Sequence, residues 1–191
     1  MIPNQEDVNS RSDTELMLSV RDGRIADLAP LFERHNGRLF NFYVRMTGDR
    51  QLSEDMVQDV FFRILKYRHT FRGESRFMTW MFTIARNVQM DNVKRWNREQ
   101  PFERDEQDAV VEPASDVTAD HRYDAALLKE ALLRLTPDKR EALILSRYEG
   151  MKYTEIAEFA GCSVENVKVR VHRAIKDLRK IFLELSGETA R

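Results

Sequence analysis

The chain has 191 residues, of which 42% are hydrophobic and 33% charged, and its formal net charge is −1 at pH 7. These values fit one or two small globular domains and exclude a fibrous or low-complexity protein. Cys162 is the single cysteine, so an internal disulfide is excluded and a reducing, cytoplasmic setting is expected. The most apolar run, 77–85, is far shorter than the ~20 residues of a membrane-spanning helix, so membrane insertion is not expected.

The first half of the chain carries the hydrophobic periodicity of helices and no convincing strand pattern. Gly23, Gly48 and Gly73 interrupt that periodicity where turns are expected. The predicted helices cover 14–21, 25–47, 51–68 and 76–98.

One of these helices has two contrasting faces within SEDMVQDVFFRILK, residues 53–66. Its predicted core stripe consists of Met56, Val57, Val60, Phe61, Ile64 and Leu65. The other face is acidic and polar, and it presents Glu54, Asp55, Gln58 and Asp59. Such a face can dock on a basic partner or simply remain solvated, and for an isolated helix the solvated interpretation is the simpler one.

A basic loop follows and leads into the next helix, for which Ser75 is the expected N-cap. The predicted core stripe of this helix is Phe77, Trp80, Met81, Ile84, Val88 and Val93. Its other face presents Thr83, Arg86, Asn87, Met90, Lys94 and Arg95. Cations close to aromatic rings suit single-stranded nucleic acid. Phe77 and Trp80 are expected in the core, which makes Phe71, in the loop, the better candidate for a base contact.

Charge is strongly segregated along the chain. Residues 63–98 hold nine Lys or Arg and two acids, a net +7, whereas residues 100–124 hold two Arg and eight acids, a net −6. The acidic stretch also contains Pro101 and Pro113 and hardly any apolar periodicity. It is predicted to be a linker that is disordered in the free protein.

The C-terminal part predicts four short helices. Leu127, Leu128, Ala131, Leu132 and Leu135 mark the first of them. Thr136-Pro137 is a helix start with proline at the first helical position, and Gly150 closes that second helix. The predicted organisation is therefore all-α, with helical domains at 1–99 and 125–191 joined by the linker 100–124.

The last two helices form a predicted helix-turn-helix within residues 154–180. Gly161 can adopt the left-handed turn and Ser163 can cap the second helix. The apolar stripe of that helix is Val164, Val167, Val171, Ala174, Ile175, Leu178, Ile181 and Phe182. Its basic side carries Lys168, Arg170, Arg173, Lys176, Arg179 and Lys180, with Val169 and His172 among them. This arrangement suits the DNA major groove, although a solvated amphipathic helix is the simpler alternative.

Residues for catalysis or cofactor binding are not apparent. His35, His69, His121 and His172 are scattered, and Cys162 has no neighbouring ligand cluster, so no metal site is predicted. Cys162 is expected to be a small semi-buried residue instead of a redox sensor. There is no Gly-rich phosphate loop, so neither a cofactor nor an enzymatic activity is expected.

Three blocks in order give the chain a family resemblance: SEDMVQDVFFRILK, FRGESRFMTWMFTIARN and, after the acidic segment, LTPDKREALILSRYEGMKYTEIAEFAGCSVENVKVRVHRAIKDLRK. The chain resembles, over nearly its whole length, the extracytoplasmic-function (ECF) sigma factors of bacteria, group 4 of the sigma-70 superfamily. Such proteins consist of a σ2 and a σ4 domain and direct core RNA polymerase to promoters.

The resemblance implies three sets of site residues. Polymerase binding, on the clamp helices of the largest subunit, is implied for Asp55, Gln58, Asp59 and Phe62. Holding the melted −10 element is implied for Phe71, Arg72, Ser75, Arg76, Thr83, Arg86, Asn87, Lys94 and Arg95. Reading the −35 duplex is implied for Lys168, Val169, Arg170, His172, Arg173 and Lys176, with Arg170 expected on a phosphate.

The resemblance also implies partners. These are core RNA polymerase, promoter DNA and an anti-sigma factor, although no residue of the sequence by itself indicates the last. The acidic linker would pass through polymerase channels that otherwise hold nucleic acid. Residues before Leu16 depart from the family pattern and are expected to form a flexible arm.

Two other classes of function compete with this interpretation. A helix-turn-helix regulator of the response-regulator type would bind duplex DNA without acting as a polymerase subunit, but it needs an α/β receiver for which no strands are predicted. A nuclease with an attached helix-turn-helix needs clustered carboxylates or a metal set in the first 100 residues, and neither is visible.

Overall fold

The computed structural model describes residues 10–99 and 119–187. In these residues the fold is all-α, as predicted, and they contain no strand. The helices are α1 (Asp13–Arg21), α2 (Leu28–Thr47), α3 (Arg50–Lys66), α4 (Phe77–Glu99), α5 (Ala119–Arg134), α6 (Pro137–Arg147), α7 (Tyr153–Ala160) and α8 (Val164–Ser186). Short 3-10 helices lie at Ile25–Asp27 and Arg68–Thr70.

Several predicted helix bounds shift in the structure. The helix predicted at 25–47 begins as a 3-10 turn and becomes α2 at Leu28, and the helix predicted at 51–68 ends at Lys66. Because α4 begins at Phe77, Ser75 lies two residues before it and is not its N-cap. The last helix, α8, has 23 residues and is therefore not short as predicted.

The described residues form two compact units. The first contains 10–41 and 51–99, and the second contains 42–50 and 119–187. In the first unit the fully buried side chains come from α1 to α4 and the loop before α4. They include Leu16, Met17, Leu31, Leu39, Met56, Ile64, Phe71, Phe77, Met81 and Phe82.

The buried stripe of α4 is shorter than predicted. Val88 is fully buried, whereas Val93 is 53% exposed, so the assignment of Val93 to the core is wrong. The physical reason is that α4 continues past the end of the core that its first three turns cover. Trp80 is half-buried, in contact with the ring of Phe71.

The start of the first unit is held by charged contacts. Arg11 donates to Asp27 at 2.8 Å, and Asp13 binds both Arg34 at 2.9 Å and His35 at 2.7 Å. Residues 11–15 therefore do not form the flexible arm expected before Leu16, while residues 1–9 of that arm lie outside the described residues.

A capping box begins α1. The Ser12 hydroxyl oxygen accepts a hydrogen bond from the backbone N–H of Glu15, and the Glu15 carboxylate accepts one from the backbone N–H of Ser12 at 2.7 Å. The Ser-x-x-Glu spacing that forms this box is visible in the sequence, so it could have placed the helix start.

In the second unit, α8 packs against α5, α6 and α7. Buried side chains from these helices include Leu127, Ala131, Leu132, Leu135, Ala142, Leu143, Ile144, Leu145, Ile156, Phe159, Val167, Val171 and Ala174. Leu128 and Ile175 belong to the predicted stripes but are 37% and 40% exposed. The buried apolar stripes of α5 and α8 are therefore narrower than predicted, because they do not include these two residues.

Inside the second unit, Arg140 is a half-buried cation. Its guanidinium donates to the backbone carbonyl oxygen of Leu135 at 2.9 Å and to that of Leu133. Burial lowers the pKa of Arg140 from its ordinary value, since water is removed from the charged form. These carbonyl groups at the end of α5 replace part of the lost solvation.

The linker predicted at 100–124 overlaps α5. Its last six residues, 119–124, are the beginning of that helix, and 100–118 lie outside the described residues. None of the helices in the described parts of the chain is both long and apolar enough to cross a membrane.

Candidate nucleic-acid interface

The helix-turn-helix predicted from the sequence is formed by α7 and α8. Gly161 ends α7 with φ of +62°, a left-handed conformation that favours glycine. The hydroxyl of Ser163 then accepts a hydrogen bond from the backbone N–H of Asn166 at 3.2 Å and caps α8. Cys162, between them, is half-buried. The turn is therefore built by local residues with the roles that the sequence predicted.

The basic face of α8 is open to solvent. Of the residues expected at the −35 element, Lys168, Val169, His172, Arg173 and Lys176 are exposed, and Arg170 is half-buried. Val169 exposes 47% of its surface, so its methyl groups are available to a thymine methyl. On the opposite side, Val167, Val171 and Ala174 are buried and hold the helix in place.

The loop before α4 and the outer face of α4 carry the residues expected at the −10 element. Arg72, Arg76, Thr83, Asn87, Lys94 and Arg95 are exposed, whereas Ser75 and Arg86 are half-buried. Phe71 is different because only 1% of it is exposed, and its ring centroid lies 5.2 Å from that of Trp80 and 6.2 Å from that of Phe77. Phe71 is therefore part of the buried aromatic cluster in this structure, and a contact of its ring with a base stays an untested prediction.

Helix α1 supports this loop, which the sequence did not predict. The guanidinium of Arg21 donates to the carbonyl oxygen of Phe71 at 3.4 Å. Gly73 has φ of +77°, and a Cβ there would lie 3.5 Å from the methyl groups of Leu18 and 3.7 Å from Thr14. The close approach of α1 to the loop backbone thus fixes the position of the loop.

The face of α3 expected to bind polymerase is mostly exposed. Asp55 and Gln58 lie open to solvent, and Phe62 exposes 64% of its surface. Aromatic side chains are enriched at protein–protein interfaces, so Phe62 is the residue of this face best suited to contact a protein. Asp59 is half-buried, and its carboxylate binds Arg63 one turn later.

Two concave surfaces lie near these faces. One, of about 290 Å³, is lined by Arg63, Tyr67, Ile84, Asn87, Met90, Asp91 and Lys94 and lies between α3 and α4. The other, of about 410 Å³, is an apolar groove between α5 and α8 that includes Leu128, Ile175, Leu178 and Phe182. The exposure of Leu128 and Ile175 follows from this groove.

Among residues 10–99 and 119–187, no group of three or more His, Cys, Asp or Glu side chains is placed to hold a metal ion. The surfaces described above are suited to binding nucleic acid and protein.

Comparison with known proteins matches both units to one family. The family model for sigma-70 region 2 matches residues 31–99, and that for sigma-70 region 4 matches residues 125–178. The RNA polymerase sigma factor CarQ of Myxococcus xanthus is 33% identical over 90% of this chain and 98% of its own length. The ECF RNA polymerase sigma factor SigX of Bacillus subtilis is 32% identical over 83% of this chain and 84% of its own length.

Solved structures agree with these sequence matches. The sigma factor RpoE of Bartonella quintana, solved in complex with the anti-sigma factor NepR, has a TM-score of 0.70 at 26% identity and covers 81% of this chain and 96% of its own. CnrH, solved with the cytosolic domain of CnrY, has a TM-score of 0.71 at 23% identity and shows the same fold over 94% of this chain. The family and its function follow together: the chain belongs to the extracytoplasmic-function sigma factors of the sigma-70 family, which bind core RNA polymerase and direct it to promoters.

Proposed function

We propose that the surfaces described above divide the work of promoter recognition between the two domains. The first domain, which contains 10–41 and 51–99 among the described residues, docks on core polymerase and holds the melted −10 element. The second, which contains 42–50 and 119–187, reads the −35 duplex. The observation that carries this proposal is the exposed basic face of α8, which is the second helix of the helix-turn-helix.

For the −35 element, we assign base-edge contacts to the exposed residues of α8: Lys168, Val169, His172, Arg173 and Lys176. Arg170 is half-buried and is assigned to a phosphate. A bidentate contact from an arginine to guanine is worth ~1–3 kcal/mol of discrimination, so Arg173 is the strongest candidate for setting sequence preference.

For the −10 element, the candidates are the loop and the outer face of α4: Arg72, Ser75, Arg76, Thr83, Arg86, Asn87, Lys94 and Arg95. Melting costs a few kcal/mol for each unstacked base. Contacts made only with the open strand offset that cost, because duplex DNA lacks them. No covalent bond is made or broken in this step, which agrees with a family that is not a class of enzymes.

For polymerase docking, Asp55, Gln58, Asp59 and Phe62 on α3 are the proposed contacts. The acidic groups would pair with a basic surface of polymerase, and Phe62 would supply buried apolar area. Binding of both domains on one polymerase raises the effective concentration of the second DNA contact, so neither domain needs high affinity alone.

Regulation and location follow from the same proposal. An anti-sigma factor is a proposed partner because RpoE of Bartonella quintana and CnrH were each solved in a complex, the former with an anti-sigma factor. The protein would act in the cytoplasm, where polymerase is found. The acidic segment 100–118, outside the described residues, would lie in a nucleic-acid channel of polymerase. A regulator that binds duplex DNA without polymerase is not favoured, since both family models match the chain.

The test is in vitro transcription from a pooled genomic library with core polymerase, with and without the purified protein. New start sites that share two spaced upstream motifs are expected. If no start site appears while the protein alone binds duplex DNA tightly, the regulator is correct and the proposal fails.

Two variants then separate the surfaces. Asp55→Ala is expected to weaken core polymerase binding at least about fivefold, as for an interface residue worth over 1 kcal/mol. Arg173→Ala is expected to leave core binding intact and to weaken −35-dependent transcription, with relaxed preference at one base pair. Arg147, exposed at the end of α6, is the matched control for loss of an arginine, and its change to alanine should alter neither property.

A further inference from the structure

The outer half of α4, as far as Arg95, extends beyond the hydrophobic core. Val88 is the last buried residue of this helix among those whose side chains are described, and Met90, Val93, Lys94 and Arg95 beyond it are exposed. Among 89–95, the part of this half whose side chains are described, apolar packing therefore does little to set the position of the helix. Two residues assigned to the −10 element, Lys94 and Arg95, lie there.

One ion pair links this half of α4 to α3. The Nη1 of Arg63 donates to the Oδ2 of Asp91 at 2.7 Å, across 28 residues of sequence. Between Gln89 and Arg95, this is the one polar contact of the described side chains that reaches another helix. The side chains of Asn92 and Arg95 bond within α4 itself.

Arg63 is held in place from its other edge. Its Nε donates to the Oδ1 of Asp59 at 3.1 Å, and its Nη2 lies 3.0 Å from the Oδ2 of the same carboxylate. A planar guanidinium that is bound by two nitrogens to one carboxylate has a defined orientation, and its third nitrogen then points to a defined place. Asp59 thus orients Arg63 towards Asp91.

The same groups form a wall of a concave surface. Arg63 and Asp91 line the cavity of about 290 Å³ together with Asn87 and Lys94, which are assigned to DNA. Asp91 follows Asn87 by four residues and so lies one turn further on the same face. A change in the distance between Arg63 and Asp91 would move Lys94 relative to α3, whereas Asn87 lies next to the fully buried Val88 and is held by the core.

We infer that Arg63 is a positioning residue for promoter melting, which holds the outer half of α4 through Asp91 so that Lys94 and Arg95 meet the open −10 strand in register. This inference rests on the proposed function of the first domain. Arg63 acts through Asp91 and not by a contact of its own with DNA.

The charges predict opposite results for the two possible roles of Asp91. If Asp91 were simply an acid near DNA, Asp91→Asn would remove a repulsion and strengthen binding and melting. If Asp91 holds α4 through Arg63, the same change weakens melting. Asp91 is 54% exposed, so its replacement by the isosteric asparagine does not threaten the fold.

The experiment measures opening of a promoter that the transcription assay has recovered, with 2-aminopurine in the −10 element and saturating core polymerase with full-length protein. Asp91→Asn and Arg63→Gln are each expected to lower the fraction of open complex about 3- to 10-fold. The double variant should be no worse than Arg63→Gln, because both changes remove the same contact. Arg63→Lys should restore part of the loss, since lysine keeps the charge but not the fork.

A second readout separates positioning from loss of stability. Base preference at the −10 positions, measured with single-base promoter variants, should change in Asp91→Asn while its unfolding midpoint in urea stays that of the wild type. Arg134→Gln is the matched control. It breaks an ion pair between Arg134 and Glu130, which are four residues apart on α5 in the second unit. It should change neither opening nor base preference.

The outcomes that overturn the inference are distinct from failure of the proposed function. If the wild type opens the promoter and Asp91→Asn opens it equally or better, the inference is wrong, and a loss in Arg63→Gln alone would mean a direct phosphate contact. If the wild type with core polymerase opens no promoter, the proposed function fails.

Discussion

The ammonium of Lys139 on α6 lies 2.5 Å from a carboxylate oxygen of Asp177 on α8, and the two residues are 38 positions apart in the sequence. The pair joins the helix that carries the basic face to the helix that precedes the helix-turn-helix. Both side chains are partly exposed, so the pair adds little stability.

Replacement of Lys139 by methionine should be visible at Asp177 itself. The hydrogen bond from Lys139 holds the pKa of Asp177 below its ordinary value, with smaller contributions from Lys176 and Lys180. In Lys139→Met the pKa of Asp177 should rise towards that value in a carboxyl NMR titration. Lys180→Met should give a smaller rise, and an equal rise in both variants would contradict a specific pair. At 1 M salt, where the Debye length falls to ~3 Å, the rise in Lys180→Met should shrink more than that in Lys139→Met, because the contribution of Lys180 is coulombic whereas Lys139 acts mainly through its hydrogen bond.

Phe71 and Phe62 should respond oppositely to truncation. Phe71 is 1% exposed and contacts two aromatic rings, so Phe71→Ala should lower the free energy of unfolding by about 3–5 kcal/mol. Phe62 is 64% exposed, so Phe62→Ala should change that energy by less than about 0.5 kcal/mol and weaken core polymerase binding. Urea unfolding measures the first quantity. A stable Phe71→Ala protein that had lost only DNA binding would show that Phe71 contacts a base after all.

Gly161 and Gly37 provide a matched pair for the turn of the helix-turn-helix. A Cβ at either position would meet no atom within 4 Å, so packing does not distinguish them. Gly161 has φ of +62°, and Gly161→Ala should cost about 1 kcal/mol of backbone strain. Gly37 lies inside α2, where Gly37→Ala should instead stabilise by about 0.5–1 kcal/mol. Changes of the same sign in urea unfolding would mean that backbone conformation is not the cause.

Acid should destabilise the first domain partly through Asp27. Burial alone would raise the pKa of Asp27, but hydrogen bonds from Ser19 and Arg11 lower it below the ordinary value of 3.8. The carboxylate of Asp27 therefore binds a proton more weakly in the folded protein than in the unfolded chain. The stabilisation that ionised Asp27 gives the folded state is complete above about pH 3.8 and is lost as the pH falls through the folded-state pKa.

Asp27→Asn isolates this contribution. At pH 7 the variant should be about 1–3 kcal/mol less stable in urea unfolding, because Ser19 and Arg11 lose a charged acceptor in a buried place. Below pH 3.8 the difference from the wild type should narrow. If the difference stayed constant down to pH 2, Asp27 would not be the titrating group.

The sequence alone was sufficient for features that depend on neighbouring residues. The turn at Gly161, the cap at Ser163 and the basic face of α8 require only local backbone preferences and helical periodicity. The all-α class followed from the same helical periodicity, and the family resemblance followed from three blocks of sequence in order, although several helix bounds and the predicted cap at Ser75 did not hold.

The tertiary structure alone decided the features that depend on residues far apart in the chain. Phe71 lies in a loop whose polar and charged composition is typical of an exposed segment. Its side chain is nevertheless buried, because residues of α1 and α4 pack against this loop. The sequence pattern places Arg63 and Asp91 on the exposed faces of two separate helices. Only the packing of α3 beside α4 brings the Nη1 of Arg63 within 2.7 Å of the Oδ2 of Asp91. Periodicity reports which side of one helix is apolar, whereas the distance between two helices, and where a core ends along them, is set by side-chain volumes from several segments at once.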